Sequence, residues 1–344
     1  MTSKERLLNA LLQKKVDRVP VAGVVTAINK AAMKHAEATF RDVLTSPQKL
    51  AALAAAPYEL YGLESIKLPF DMTVEAEILG AEIDFGDDYR LPQARKARFS
   101  DPGEFATPDD LQKRGRLPLI TKAVELLQEK YGGRVAVTTS IVGPFSLANI
   151  LFGFERLLIR MATEQELYHR CLEATTNFAI RQCNIQEKAG SDIILIGEAA
   201  CSGDMISAED YRRNILPYHR RLCSTISVPT VIHICGNISN HFEFIAETNT
   251  SGISFDDGND MALARKYCKG KVALLGYVPP MKLLQDGTPE QIRIKCQECL
   301  DNGVDVLHAG CAWPPGVPDE NAKAFVFWGQ NLQVQTKSEE KKSC

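Results

Sequence analysis

A histidine and a cysteine two residues apart, His233 and Cys235, form the most distinctive pattern in the sequence. They end the run PTVIHIC, which begins at Pro229 and has the composition of a β-strand. Side chains two apart on an extended chain point to the same side, so the imidazole and the thiol are presented together. A second thiol, Cys311, follows another strand-like run, VDVLHA. If both runs are strands of one barrel, their ends converge on one face.

Two sulfur ligands and one nitrogen ligand suit Zn²⁺, and three protein ligands leave one coordination position open, as in catalytic zinc sites. The residues alone leave a second interpretation open, because a cysteine near a strand end is often buried simply for packing. A competing pair, Cys296 and Cys299, lies in the helix-like stretch IRIKCQECLDNG, where positions three apart share a face. No second pair at zinc-ribbon spacing follows it, which favours helix packing for this pair.

Four carboxylates are expected at the same face as the thiols. Glu198 follows the run DIILIG, Asp204 lies in the loop after it, and Asp256 and Asp257 end the run SGISFDD. A carboxylate beside a zinc site can be a fourth ligand, orient the histidine or accept a proton. Solvent exposure or helix capping is the alternative for each of them, because loops after strands commonly carry capping acids.

Short β-branched runs alternate with longer amphipathic stretches along most of the chain. The runs begin at Val19, Arg134, Ser191, Pro229, Ser251, Lys271 and Gly303, and helix-like stretches cover 209–224, 240–248, 261–268 and 289–302. Continuous apolar strands that alternate with helices predict a parallel sheet covered on both faces. Seven runs and one further strand would fit a closed (β/α)8 TIM barrel, an α/β fold. A doubly wound open sheet is the alternative, but no G-x-G-x-x-G follows the first run.

The N-terminal third departs from this alternation. Residues 1–15 predict an amphipathic helix with an apolar face of leucines. From about residue 30 to 115 no clean alternation is visible, which predicts a helical elaboration with a small strand or hairpin near Glu82 to Phe99. We therefore expect one barrel domain over residues 1–335, with the elaboration within about 1–115, and a flexible tail over 336–344.

Composition and charge narrow the possible functions. The chain of 344 residues is 45% hydrophobic and 24% charged, as is typical of globular proteins. Its 40 basic and 43 acidic residues give a net charge of -3, so we expect no general attraction to nucleic acid or anionic lipid. No apolar run reaches the roughly 20 residues of a membrane span. Ten cysteines without a secretory signal predict a cytoplasmic protein rather than a disulfide scaffold.

Seven stretches, in order along nearly the whole chain, resemble the uroporphyrinogen decarboxylase superfamily. They are PFDMTVEAEILGAEIDFGDD from Pro69, LQKRGRLPLI from Leu111, VGPFSLANILFGFERLL from Val142, DMISAEDYRRNILPYHRRL from Asp204, HICGN from His233, SFDD from Ser254, and GC followed by P and DEN from Gly310. Within the superfamily the chain is most similar to the methylcobamide:coenzyme M methyltransferases of methylotrophic methanogenesis, because the decarboxylases proper lack the H-x-C and later Cys pattern.

The resemblance implies zinc at His233, Cys235 and Cys311, and methyl transfer from a methylated corrinoid to the thiol of coenzyme M. It also implies a corrinoid carrier protein as partner. Glu198 is then the first candidate for a displaceable fourth ligand or for the acceptor of the thiol proton. The sulfonate of coenzyme M requires cationic or N–H partners, and the sequence does not indicate which residues these are.

Three residues depart from the pattern of the related enzymes and could reshape the thiol pocket. Glu198 stands where an Asp-Pro pair begins in relatives, Tyr277 stands where an Asn is expected, and Trp313 lies in an unusual loop after Cys311. Asp204, Asp256 and Asp257 are the other pocket candidates. The acceptor could therefore be homocysteine, another thiol or a reduced pterin. The chain could also be a non-catalytic barrel that docks a corrinoid protein around a structural zinc.

Overall fold

The computed structural model of the protein describes residues 1–333, which contain nine strands and fourteen α-helices. The strands are β1 Ser65–Leu68, β2 Ile83–Asp84, β3 Gln93–Ala94, β4 Ala136–Val142, β5 Ile193–Gly197, β6 Thr230–Ile234, β7 Gly252–Phe255, β8 Ala273–Val278 and β9 Val306–Ala309. The helices are α1 Ser3–Leu11, α2 Lys30–Ala36, α3 Pro47–Tyr61, α4 Val74–Ile78, α5 Leu117–Tyr131, α6 Pro144–Phe152, α7 Phe154–Thr163, α8 Gln165–Ala189, α9 Ala208–Asp210, α10 Leu216–Thr225, α11 Phe242–Ile245, α12 Met261–Cys268, α13 Pro289–Asp301 and α14 Asp319–Asn331. None of the helices within residues 1–333 has the length and apolarity that a membrane crossing requires.

Seven strands form one parallel sheet in the order β1-β4-β5-β6-β7-β8-β9. The extended segment 20–22 joins its two edges: the N–H of Leu307 donates to the carbonyl of Pro20 at 2.9 Å, and the N–H of Glu64 donates to the carbonyl of Val21 at 2.8 Å. Since Leu307 lies in β9 and Glu64 directly precedes β1, the sheet is closed into a barrel. The predicted (β/α)8 TIM barrel is confirmed.

Two details of the predicted strand list are wrong. The run from Val19 is not a regular strand, because it makes a single β-bridge, between Val21 and Leu307. The further barrel strand that the runs did not reveal is β1, which pairs with β4 and lies inside the segment predicted to be an N-terminal helical elaboration. Its sequence SIKL is four residues long and contains a lysine, so it lacks the apolar signal of the other strands.

The remaining elements agree with the predictions that they test. The hairpin expected near Glu82 to Phe99 is the antiparallel pair β2 and β3. Helices α12 and α13 cover the stretches predicted over 261–268 and 289–302, and α10 and α11 cover parts of those predicted over 209–224 and 240–248. The predicted tail over 336–344 lies outside the described residues, and the boundaries of the domain stay a prediction.

Helix α1 covers the N-terminal end of the barrel. Leu7, Ala10 and Leu11 are buried against apolar side chains from the barrel strands. The backbone N–H of Lys4 donates to the carbonyl of Arg134, and its ammonium contacts Asp192; both partners precede strands. Apolar contact through one face of an amphipathic helix supplies most of its stability in a protein. Because this end is filled, the C-terminal ends of the strands form the accessible face.

A buried carboxylate, Glu64, connects the closing segment to α1. It accepts hydrogen bonds from the Arg6 guanidinium, from Arg18 at 2.7 Å and from the N–H of Val21 at 2.9 Å. Glu64 is fully buried and Arg6 is nearly so. A buried ion pair of this kind contributes modestly as a pair, but removing one partner leaves an uncompensated charge.

We therefore predict that Glu64→Ala lowers the free energy of unfolding by about 3–5 kcal/mol, measured by urea denaturation. The matched control is Glu125→Ala, which removes an exposed carboxylate paired with Lys122 and should change stability by less than about 1 kcal/mol. Equal stability of the two variants would show that Glu64 does not hold the barrel closed.

Candidate metal centre

The three predicted zinc ligands meet at the mouth of the barrel. The Sγ of Cys235 lies 3.2 Å from the Nε2 of His233 and 3.4 Å from the Sγ of Cys311, and the Sγ of Cys311 lies 3.6 Å from the same Nε2. His233 is the fourth residue of β6, Cys235 directly follows that strand, and Cys311 lies two residues beyond β9. Both cysteines are partly exposed and neither forms a disulfide, so their sulfurs are available for a ligand.

The imidazole of His233 is oriented by a neighbouring strand. Its Nδ1 lies 3.0 Å from the Oγ of Ser254, and the two residues are register partners in β6 and β7. With Nδ1 as the donor in this bond, Nε2 is left with a lone pair directed at the two sulfurs. A hydrogen bond from the other ring nitrogen is the usual way in which a metal-binding histidine is held.

The donor set fits a tetrahedral zinc ion. With Zn–S of about 2.3 Å and Zn–N of about 2.0 Å, the ligand atoms would be about 3.5–3.8 Å apart. The observed separations of 3.2, 3.4 and 3.6 Å differ from this range by a few tenths of an ångström. Within residues 1–333 no fourth histidine, cysteine or carboxylate joins this group, so a bound ion would keep one position for another ligand.

The two thiols share their protons unequally. Hydrogen bonding to Cys235 and His233 lowers the pKa of Cys311 well below its usual range, whereas the neighbouring Cys311 and burial raise the pKa of Cys235. The structure therefore favours one thiolate at neutral pH even before any cation binds. A thiolate is the form in which cysteine binds metal.

Asp256 is a predicted carboxylate that interacts electrostatically with both thiols. Its Oδ2 accepts a hydrogen bond from the N–H of Gly236 at 2.8 Å, and burial, together with the negative charge of Cys311, raises the pKa of its carboxyl. Asp204 is exposed and accepts bonds from Ser202 and from the backbone of the loop after Cys235. Asp257 is half-buried at the end of β7.

Glu198 lies in a different environment from the one predicted. It is fully buried, and its carboxylate accepts hydrogen bonds from the N–H groups of Phe145 at 3.1 Å and Ser146 at 2.9 Å in the first turn of α6. His219 contacts the same carboxylate at 2.7 Å, and the Cys201 thiol lies 3.5 Å from it. The structure thus groups Glu198 with Cys201 and His219, and does not bring it together with the three predicted ligands.

The charge of Glu198 is balanced within this buried group. Burial acts to raise the pKa of Glu198, but His219 and the N–H of Ser146 outweigh it, and the pKa lies below its ordinary value. His219 is itself held by Tyr211, whose hydroxyl lies 2.9 Å from Nδ1. The sequence did not indicate this group, because its members come from a loop and from two helical segments that are adjacent only after folding.

Tyr277 and Trp313 are not among the residues that line the cavity beside the metal centre. The hydroxyl of Tyr277 accepts a hydrogen bond from Asn302 at 2.7 Å, and its ring stacks on Phe255, so it lies between the sheet and the outer helices. Trp313 is buried against Tyr61 and Phe325. Both residues shape the wall of the barrel behind the site.

A cavity of about 120 Å³ adjoins the metal centre. This volume is below the range of about 300–1,000 Å³ that is usual for drug-sized ligands, so it suits a small molecule. It is lined by Val25, Thr26, Lys67, Phe70, Asp71, Met72, Ser140, Ile141, Leu195, Gly197, Ala199, His233, Cys235, Cys311 and Ala312. Sequence reasoning found three of these residues and missed Lys67, because β1 was not recognised as a barrel strand.

Comparisons with known proteins agree with this geometry. Residues 2–331 match the family model described as uroporphyrinogen decarboxylase (URO-D). The chain is 32% identical over 326 residues to a methylated-thiol–coenzyme M methyltransferase of Methanosarcina mazei, covering 95% of this chain and 88% of the relative. It is 31% identical to a methylcobamide:CoM methyltransferase of Methanosarcina barkeri, covering 94% of this chain and 96% of the relative.

A solved structure supports the same relationship. A methyltransferase from Methanosarcina mazei has a TM-score of 0.92 and 30% sequence identity, and the match covers 96% of this chain and 98% of that chain. The sequence match and the fold match both extend over nearly the full length of each protein. The chain therefore belongs to the uroporphyrinogen decarboxylase family and, within it, to the branch of the methylcobamide:coenzyme M methyltransferases.

Proposed function

We propose that the protein transfers a methyl group from a methylated corrinoid to the thiol of coenzyme M, in methanogenesis from methylated compounds. The observation that carries this proposal is the group of His233, Cys235 and Cys311, whose ligand atoms lie within 3.6 Å of one another beside a small cavity. The relatives named above act on coenzyme M according to their names, and they supply the acceptor in this proposal.

His233, Cys235 and Cys311 would hold a zinc ion. Bound zinc would keep the incoming thiol ionised at neutral pH, where a free thiol with a pKa of about 8.5 is mostly protonated. Ser254 keeps the Nε2 of His233 directed at the centre, and two cysteinates supply negative charge that keeps the bound sulfur nucleophilic. We assign to Asp256 the transfer of the thiol proton to solvent, because its raised pKa makes it a better base than an ordinary carboxylate.

The methyl donor must approach from outside the barrel. The cavity of about 120 Å³ admits a small thiol but not a tetrapyrrole. A corrinoid would therefore present one face at the mouth, carried there by a partner protein. In the transfer the Co–C bond breaks with its electron pair left on cobalt, and a C–S bond forms to the acceptor. We expect this to take place in the cytoplasm.

Zinc binding is tested by replacing its ligands. We expect about one zinc ion per chain in the purified protein, with the zinc content measured by inductively coupled plasma mass spectrometry. Cys235→Ala or Cys311→Ala should remove the zinc and lower the rate of methylcobalamin demethylation with coenzyme M by at least about 100-fold. Replacing a residue that only hydrogen-bonds to a metal ligand typically costs about 10- to 100-fold, and losing a ligand itself should cost more.

The control for the zinc measurement is Cys299→Ala, because Cys299 is buried in α13 away from the centre and should keep both zinc and activity. Full activity of a metal-free preparation would refute the proposed role of the metal. A protein that binds zinc and a corrinoid carrier but methylates no thiol would instead be a docking barrel.

Proton release is a second test of the mechanism. Binding of coenzyme M as a thiolate should release close to one proton per chain at pH 7, because the free thiol is protonated there. The measurement is titration calorimetry in buffers of different ionisation enthalpy. A binding enthalpy that does not depend on the buffer would contradict thiolate formation.

Glu198 provides a third test, because we propose that it positions the first turn of α6 and the loop after β5 instead of binding the metal. Glu198→Gln should lower the free energy of unfolding by about 3 kcal/mol and leave zinc content near one per chain. Because the folded-state pKa is lowered, this stabilisation is present above the unfolded pKa of about 4.3. It should disappear as the pH falls through the folded value, measured by urea denaturation at several pH values. Loss of zinc at unchanged stability would instead assign Glu198 to the metal.

A further inference from the structure

A buried lysine in the cavity forms no direct ion pair with the acids of residues 1–333. Lys67 lies in β1 and lines the same cavity as His233, Cys235 and Cys311. Its side chain is buried, yet no carboxylate within residues 1–333 lies within 4 Å of its ammonium. Burying an ammonium without a counter-charge is costly, and such groups are ordinarily paired or functional.

The hydrogen bonds of Lys67 are made to neutral oxygens. The ammonium donates to the Oγ1 of Thr26 at 3.1 Å and to the carbonyl of Pro69. An ammonium carries three donors, and within the described part of the chain the third has no acceptor. The hydroxyl of Ser140, another residue of the cavity lining, also donates to the carbonyl of Pro69, at 3.2 Å.

The nearby acids are committed to other groups. Asp71 is bound by Arg116 through two hydrogen bonds of 2.8 and 3.0 Å, and the same guanidinium also donates to Glu77 at 2.6 Å. Glu75 accepts bonds from the N–H of Val142 and from Gln182, and burial raises its pKa to about 7, so that it carries only part of a charge. Burial also lowers the pKa of Lys67 to about 8, against the opposing effect of Asp71 and Glu75. At neutral pH most molecules therefore hold a cationic Lys67 that forms no direct ion pair within residues 1–333.

We propose that Lys67, with the hydroxyls of Thr26 and Ser140, is the subsite that binds the anionic end of the thiol acceptor. This inference rests on the proposed function and names the feature of the acceptor that the cavity selects. A small thiol with an anionic group at its far end would place sulfur at the metal centre and the anion at Lys67. Between them, the apolar side chains of Val25, Ile141 and Leu195 would contact its methylene groups. Coenzyme M, a two-carbon thiol with a sulfonate, has this form.

The test compares thiols that differ only in the far group, on the zinc-loaded full chain. Dissociation constants of coenzyme M, 3-mercaptopropionate, homocysteine, 2-mercaptoethanol and cysteamine are measured by calorimetry, alongside methylcobalamin demethylation. We expect coenzyme M to bind at least about 10- to 100-fold more tightly than 2-mercaptoethanol, as for a hydrogen bond to a charged group. Cysteamine, with a cationic far group, should bind most weakly.

Substitution of Lys67 then assigns the preference to its charge. Lys67→Met should reduce the ratio of the two affinities by about 10- to 100-fold, and Lys67→Arg should restore part of it. The matched control is Lys122→Met, since Lys122 is exposed on α5, and it should leave the ratio as in the wild type. An unchanged ratio in Lys67→Met would overturn the proposal.

Other outcomes separate this inference from the proposed function. Equal binding of coenzyme M and 2-mercaptoethanol to the wild type would overturn the anion subsite even if methyl transfer occurs. The expected affinities without any methyl transfer would support the subsite and refute the proposed reaction. If Lys67→Met does not fold, competition on the wild type replaces it. Displacement of coenzyme M by ethanesulfonate but not by ethanol would support the anion subsite, and no displacement by ethanesulfonate would overturn it. Binding of 3-mercaptopropionate equal to that of coenzyme M would support an anion subsite that accepts carboxylates as well.

Discussion

Closure of the sheet is the constraint on which the site depends. His233 lies in β6 and Cys311 lies just after β9, and these two strands are separated by two further strands in the sheet order. In a flat sheet, three strand spacings of about 4.8 Å would hold such residues about 14 Å apart. In the closed barrel the Sγ of Cys311 lies 3.6 Å from the Nε2 of His233. The short segment 20–22, hydrogen-bonded on both sides, is therefore as necessary to the metal centre as the ligands themselves.

The electrostatics of the barrel divide into two kinds of buried charge. Glu64 with Arg6, and Asp71 and Glu77 with Arg116, form ion pairs that fix one element against another, and Glu198 is held by a hydrogen bond to His219. Lys67, Asp256 and the two cysteines line or adjoin the cavity, and within residues 1–333 neither Lys67 nor Asp256 forms a direct ion pair. Because an unbalanced buried charge costs free energy in the absence of a ligand, its presence around one cavity distinguishes a site from a core.

Much of this could be predicted from the sequence, and the exceptions have physical causes. Apolar strand runs identified six of the barrel strands, and the spacing of His233 and Cys235 identified a shared side of a strand. The strand β1 was missed because it is short and carries Lys67 in place of an apolar residue. The surroundings of Glu198 were missed because its partners come from distant helices, and no local pattern encodes which buried group a carboxylate will contact.

The filled N-terminal end of the barrel has a consequence for the order of events. Leu7, Ala10 and Leu11 of α1 pack against the strands at that end, so the entrance to the cavity lies at the C-terminal ends of the strands. A donor protein seated over the entrance would block traffic in both directions. Under the proposed function, the small thiol would then enter before the donor docks, and the methylated product would leave only after the donor departs, so that catalysis would follow a fixed order of association and departure.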